Sequence, residues 1–154
     1  MKLILILSLI FLSEIQIDDY FYETKETVFQ ELELEKIGNY LMPNGQLYET
    51  YSFKFNNITY NFSFYKNKVK FIFTNDKNFV INGLSIGKTL DKNYDIRYCF
   101  EGNFGYLESD WVFILNTDIR NDEISNFNFK SDSIFIKSFY FNPEYFEFFR
   151  DKIK

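Results

Sequence analysis

Histidine is absent from this 154-residue sequence, and so is alanine. Without an imidazole no Ser-His-Asp or Cys-His mechanism can operate. Cysteine occurs once, at Cys99, so the chain cannot close an internal disulfide. The usual zinc sites draw on several Cys and His and are excluded with them. Basic residues are outnumbered, 17 Lys+Arg against 22 Asp+Glu, for a net charge of −5. Phosphate neutralisation supplies most nucleic-acid affinity, so this balance argues against a nucleic-acid partner. No set of residues points to a cofactor or to a metal. The acidic stretch Asp118 to Glu123 lacks the glycine and the ligand alternation of a calcium loop, and Arg120 stands where an oxygen ligand belongs.

What is abundant is aromatic: 21 Phe and 12 Tyr, with 46% hydrophobic and 25% charged residues overall. The composition is that of a foldable globular domain. The excess of Phe, Tyr, Asn, Lys and Ile over alanine follows AT-rich codons, so Phe here fills core positions that Leu and Ala fill elsewhere. The aromatic count alone does not define a stacking surface.

The chain opens MKLILILSLIFL, with Lys2 ahead of an apolar run from Leu3 to Leu12. This is the n-region and h-region of a secretory signal, and it falls short of the roughly 20 residues of a membrane-spanning helix. The expected organisation is a signal peptide over residues 1–16 and a single α+β domain over residues 17–154. Loss of residues 1–16 removes Lys2 and Glu14 together and leaves the charge at −5.

Thr24 to Gly38 reads as a helix: Val28, Leu32 and Ile37 recur near helical spacing, and Thr24 and Thr27 are cap candidates. The period then changes to two. Leu47 to Phe55, Ile58 to Tyr65 and Val69 to Thr74 alternate between turns at Asn56-Asn57 and Lys66-Asn67-Lys68. They predict a three-stranded antiparallel meander, with Tyr51, Phe53 and Phe55, then Ile58, Tyr60, Phe62 and Phe64, then Val69, Phe71 and Phe73 on its apolar side. Gly87 to Lys92 predicts a short helix capped by Thr89. Asp95 to Phe100 pairs with Phe104 to Leu107, and Trp111 to Leu115 is apolar throughout, as in a strand covered on both faces. Ser133 to Phe141 is a further strand. Asn142-Pro143-Glu144 starts a C-terminal helix. The fold class is α+β: an antiparallel β-meander sheet with helices packed on one face. A diverged tandem α-β3 repeat is an open reading of its two halves.

The stretch Ile81-Asn82-Gly83-Leu84-Ser85-Ile86-Gly87-Lys88-Thr89-Leu90-Asp91 resembles the helix entry of small exported bacterial helix-plus-meander domains, of the SmpA/OmlA outer-membrane assembly lipoprotein and β-lactamase-inhibitor-like types. The resemblance covers 11 residues and implies a turn at Gly87, a cap at Thr89, and a noncatalytic protein-binding module of the cell envelope. The lipobox cysteine of the assembly lipoproteins is missing. The overall look also resembles exported proteins of Bacteroidota, whose O-glycosylation pattern Asp132-Ser133-Ile134 matches.

The expected function is therefore an exported, non-catalytic binding or interaction protein of the bacterial cell envelope, an immunity or inhibitor protein being one form. The expected partner is another protein of basic character, met by Glu49, Asp118, Asp122 and Glu123. No stable membrane span is expected after signal cleavage, and the oligomeric state is left open. The alternatives are a structural envelope-assembly component pairing through a strand edge, and a small carboxylate-dependent hydrolase using Glu108 and Asp110.

Overall fold

The computed structural model describes residues 15–41, 45–92, 94–99, 102–107, 110–117, 119, 133–141 and 143. Helix α1 spans Lys25–Glu31. Thr24 caps it: its Oγ1 accepts from the Thr27 N–H at 3.2 Å. Val28 and Leu32 carry its buried side. The expected helix to Gly38 stops here because Leu32-Glu33-Leu34-Glu35 alternates with period two, and the chain leaves in extended form. Glu35–Leu41 becomes strand β1.

The predicted meander is present as β2 (Leu47–Phe55), β3 (Ile58–Tyr65) and β4 (Lys68–Thr74). Its two-residue turns, Asn56-Asn57 and Lys66-Asn67, hold all four residues at φ between 47° and 64°, the left-handed pair that a tight antiparallel hairpin requires. β5 (Val80–Ile81) and β6 (Leu84–Ser85) form a separate small hairpin. β7 (Ile96–Cys99), β8 (Gly102–Tyr106), β9 (Trp111–Leu115) and β10 (Ile136–Phe141) complete the main sheet.

That sheet has eight antiparallel strands in the order β1-β2-β3-β4-β10-β9-β8-β7. Each half of the chain therefore runs four consecutive strands from an edge to the centre, where β4 meets β10. The expected unit of one helix and three strands is corrected on both counts. Among the described residues each half gives the main sheet four strands, and Gly87 to Lys92, expected as the second helix, follows the β5-β6 hairpin without forming a helix. Gly87 does turn the chain, at φ 81°. However, the Gly87 N–H donates to the Ile136 carbonyl at 2.8 Å, and the Ile136 N–H donates to the Lys88 carbonyl at 3.0 Å. These bonds tie the segment to β10, and no helix follows Thr89 among the described residues. Among the described residues α1 is the α-helix of the fold, and the expected C-terminal helix lies outside them.

The core lies on one face of the sheet. Tyr51, Phe62, Phe64, Val69, Ile72, Phe113 and Phe139 pack there beneath Ile17, Phe21, Val28 and Leu32 on one side and Phe79, Leu84 and Leu90 on the other. β9 is buried at all five residues, as its continuous apolar run predicts. Its Val112 and Ile114 point to the opposite face and join Phe104 in a second, smaller cluster. Among the described residues no helix is long and apolar enough to cross a membrane.

Candidate functional site

Three irregularities in strand register shape the face opposite the core. On β1, Lys36 pairs with Tyr51 and Gly38 with Thr50, so Ile37 is an extra residue. On β4, Val69 pairs with Phe64 and Phe71 with Ser63, so Lys70 is extra. On β10, Ile136 pairs with Leu115 and Ser138 with Ile114, so Lys137 is extra. A bulge of this kind bends its strand, increases the twist and re-aims the side chains around it.

The bulge in β4 changes which residues share a face. Val69 stays on the core side, but Phe71 and Phe73 pair with Ser63 and Asn61 and turn to the opposite side. The expected grouping of Val69, Phe71 and Phe73 is corrected accordingly. Phe71 and Phe73 line an open groove of about 560 Å³ together with Ile37, Gly38, Asn39, Tyr40, Tyr48, Thr50, Ser63, Lys137 and Tyr140. These residues come from β1, β2, β3, β4 and β10, so the groove crosses four strand spacings, about 19 Å at the usual separation. Two of the bulged residues, Ile37 and Lys137, stand on strands at its opposite sides.

The groove walls are rings in contact with one another. Tyr48 stacks on Tyr65 with centroids 5.2 Å apart and meets Phe71 at 5.3 Å. Phe73 stacks on Tyr140 at 5.2 Å and 14° between planes. Between them Thr50 Oγ1 and Ser63 Oγ share a buried hydrogen bond of 2.9 Å. Two hydroxyls sharing one bond leave one O–H for a further acceptor. Lys137 is the charged side chain of the lining, is exposed, and among the described residues has no carboxylate within ion-pairing distance. The groove borders the β1 edge, where Ile37 and Leu41 are 56% and 65% exposed, with Tyr40 and Leu47 exposed beside them.

Of the residues expected to meet a partner, the described one, Glu49, lies outside the groove. Glu49 is on the core side of β2 at the helix end, where its carboxylate ion-pairs with Lys25 and approaches Lys36 at 3.8 Å. The Lys25 hydrogen bond holds the Glu49 carboxyl below the ordinary carboxylate range and raises Lys25 in turn. Asp118, Asp122 and Glu123 lie outside the described residues, as does Glu108. The roots of the acidic segment are fixed nonetheless. Asn103 brackets Ile119, accepting from its N–H at 2.8 Å and donating to its carbonyl at 2.9 Å. Asn116 accepts from the Phe135 N–H at 2.8 Å and donates to the Ser133 carbonyl at 3.0 Å. Asp110 is exposed. Among the described residues no three Cys, His, Asp or Glu side chains gather as a metal site would need.

Alternation could have placed Tyr48 and Thr50 on the face opposite Tyr51 and Phe53. The sequence has no mark for Phe71 and Phe73, because a bulge without glycine leaves none. Lys137 sat unnoticed in an apolar strand for the same reason.

No family model matches this sequence, and no curated protein matches it. Among solved structures, the crystal structure of the uncharacterized protein yfeY from Escherichia coli aligns with a TM-score of 0.48 and 11% identity, covering 81% of this chain and 91% of that one.

Proposed function

We propose that this chain is an exported, non-catalytic binding protein of the bacterial cell envelope, and that it binds through the groove on the face opposite its core. The observation that carries the proposal is that groove: a concave, ring-lined cavity with a few convergent polar groups, the usual form of a small-ligand site. The signal-like run from Leu3 to Leu12 supports export. The architecture proposed is one in which α1 and a C-terminal helix from Asn142 onward both serve the sheet. In the immunity or inhibitor form, a basic partner would be met by Asp118, Asp122 and Glu123 rather than by Glu49, whose charge Lys25 already offsets. The test has two parts. Intact mass by cell fraction should find a species lacking about residues 1–16 in the periplasm or medium. The neutral fluorescent probe N-phenylnaphthylamine should bind that species and bind Tyr140→Ala less well. Full-length cytosolic protein removes the export half; equal probe binding by the variant removes the groove half.

The exposed β1 edge favours a second reading, a structural component of envelope assembly. Four large hydrophobics, Ile37, Tyr40, Leu41 and Leu47, are exposed along it or beside it, and an uncovered edge strand is a template for pairing. Concentration-dependent oligomers on size exclusion, abolished by Leu41→Lys, are its expected signature; a monomer at all concentrations overturns it.

A further inference from the structure

We propose that the groove takes an anionic amphiphile, with a carboxylate-type head at Lys137 and an apolar body lying across the rings of Tyr48, Phe71 and Phe73. The proposal rests on the binding-protein reading and names its ligand class.

Three observations select this class. First, the lining carries a single charge, that charge is positive, and among the described residues it is unpaired in a protein of net charge −5. One cation suits one anionic group; a polyanion such as a nucleotide would meet the repulsion of the whole acidic chain. Second, five rings, Tyr40, Tyr48, Phe71, Phe73 and Tyr140, supply most of the apolar wall, and the uncharged polar groups, Asn39, the tyrosine hydroxyls, Thr50 and Ser63, are set among them. Thr50 and Ser63 already bond each other and leave one O–H. A sugar carries hydroxyls around its whole ring, and those facing the Phe71 and Phe73 rings would find no partner there. An alkyl or aryl body loses none and gains burial against the stacked pairs. Third, the cation is at one side. Lys137 lies on β10, four strands from the β1 rim formed by Ile37 and Tyr40. A ligand with one charged end and an apolar remainder matches that polarity, with its tail toward the apolar edge.

The bulges make this arrangement specific. In a regular strand β10 would carry alternate residues to each face. The extra residue at Lys137 breaks that alternation against β9, and the extra residue at Lys70 delivers Phe71 and Phe73 to the same face. Cation and rings are thus brought to one cavity by irregularities that a sheet serving only as a core support does not need.

The experiment displaces N-phenylnaphthylamine from the full mature protein with laurate and with dodecyltrimethylammonium, both below their micelle-forming concentrations. Laurate should compete up to about fivefold more strongly, the worth of one exposed charge pair at best. Lys137→Gln, at an exposed position, should erase that preference, each competition being referred to the probe affinity measured on the same variant. Equal competition by the two amphiphiles, or a preference that survives Lys137→Gln, overturns the anion assignment while the groove reading stands. Failure of the neutral probe to bind fells both. Laurate binding seen only when it is presented in phospholipid vesicles overturns the soluble ligand in favour of a membrane surface.

Discussion

The indole Nε1–H of Trp111 donates to Asp18 Oδ1 at 3.3 Å, joining the first turn of the described chain to a central strand 93 residues later. Asp18 is exposed as a residue, yet crowding around its carboxylate raises its pKa above 3.8, with Asp19 and Asp110 adding to the effect against the Trp111 hydrogen bond. A raised carboxyl pKa gives stability that is fully present below 3.8 and is lost as pH rises through the higher folded value. Asp18→Asn keeps a carbonyl to accept from Trp111 and removes the charge. The variant should therefore gain in Tm relative to the parent as pH rises from below 3.8 to neutrality, by a small amount given the solvent screening. Thermal unfolding at the two ends of that range checks it; a Tm difference that does not change with pH contradicts it.

Removal of residues 1–16 should leave the fold intact, whereas removal through Glu23 should not. Ile17 and Phe21 are buried in the core, and the Phe21 ring meets Phe141 edge-on at 5.5 Å. The same segment bonds the start of β4: Tyr22 N–H to the Val69 carbonyl at 3.2 Å, and Val69 N–H to the Glu23 carbonyl at 3.0 Å. The point variant Phe21→Ala should cost about 3 kcal/mol, the lower range for emptying a buried aromatic site. Urea unfolding of the two truncations and of Phe21→Ala tests the set. A shorter chain as stable as the longer one would show that this segment is not part of the core.

Glu49→Gln should cost less than about 1 kcal/mol, because both partners of its ion pair with Lys25 remain partly open to solvent. The sign with pH is opposite to that of Asp18. A carboxyl held below 4.5 gives stability that is present above that value and fades as pH falls through the lower folded one. The gap between parent and variant should accordingly close in acid and shrink in high salt. A gap larger in acid than at neutral pH would contradict the assignment.

Much of this sheet was readable from side-chain alternation. The Asn56-Asn57 and Lys66-Asn67 turns fell between runs of period two, and β2, β3 and β4 follow within a residue or so of the expected limits. β1 was lost to a helix because Val28 and Leu32 sit one helical turn apart, and that real turn of α1 masked the shift to period two at Leu32. The second helix failed for a tertiary reason: the partner of Gly87 and Lys88 is Ile136, about 50 residues away, and no local propensity reports it. The groove was hidden by the same kind of fact. Bulges at Ile37, Lys70 and Lys137 depend on pairing with the neighbouring strands, so the faces of Phe71, Phe73 and Lys137 could not be assigned from their own strands alone. Where alternation is unbroken, as from Tyr51 to Phe55, the expected core side is the observed one.

Asn103→Ala should be among the costlier polar substitutions. Asn103 is completely buried, and its amide satisfies both backbone groups of Ile119 at 2.8 and 2.9 Å. Truncation leaves an N–H and a carbonyl unpaired in a closed site, a loss of about 2–4 kcal/mol. Asn103→Asp keeps the size but replaces the donor with an acceptor facing the Ile119 carbonyl, and should be no better. Urea midpoints measure both, and proteolysis between residues 117 and 133 should accelerate as the anchor is lost. An Asn103→Ala variant with parental stability would mean that water replaces the amide.

Gly105→Ala tests the packing of the second half most directly. Gly105 pairs with Phe113 across β8 and β9, and both lie on the core side. The Phe113 ring lies over the glycine, so that an added Cβ would come within 3.0 Å of three ring carbons. Its φ is not in the left-handed region, so the glycine is needed for space and not for backbone freedom. The ring cannot swing clear easily, since it is completely buried and meets Tyr94 edge-on at 5.1 Å. The methyl should cost about 1–3 kcal/mol by overpacking. A second change, Phe113→Leu in the Gly105→Ala background, frees the ring plane and should recover part of that loss, giving a coupling energy of about 0.5 kcal/mol or more. Additive effects of the two substitutions would show that the clash is relieved by backbone movement rather than held against the ring.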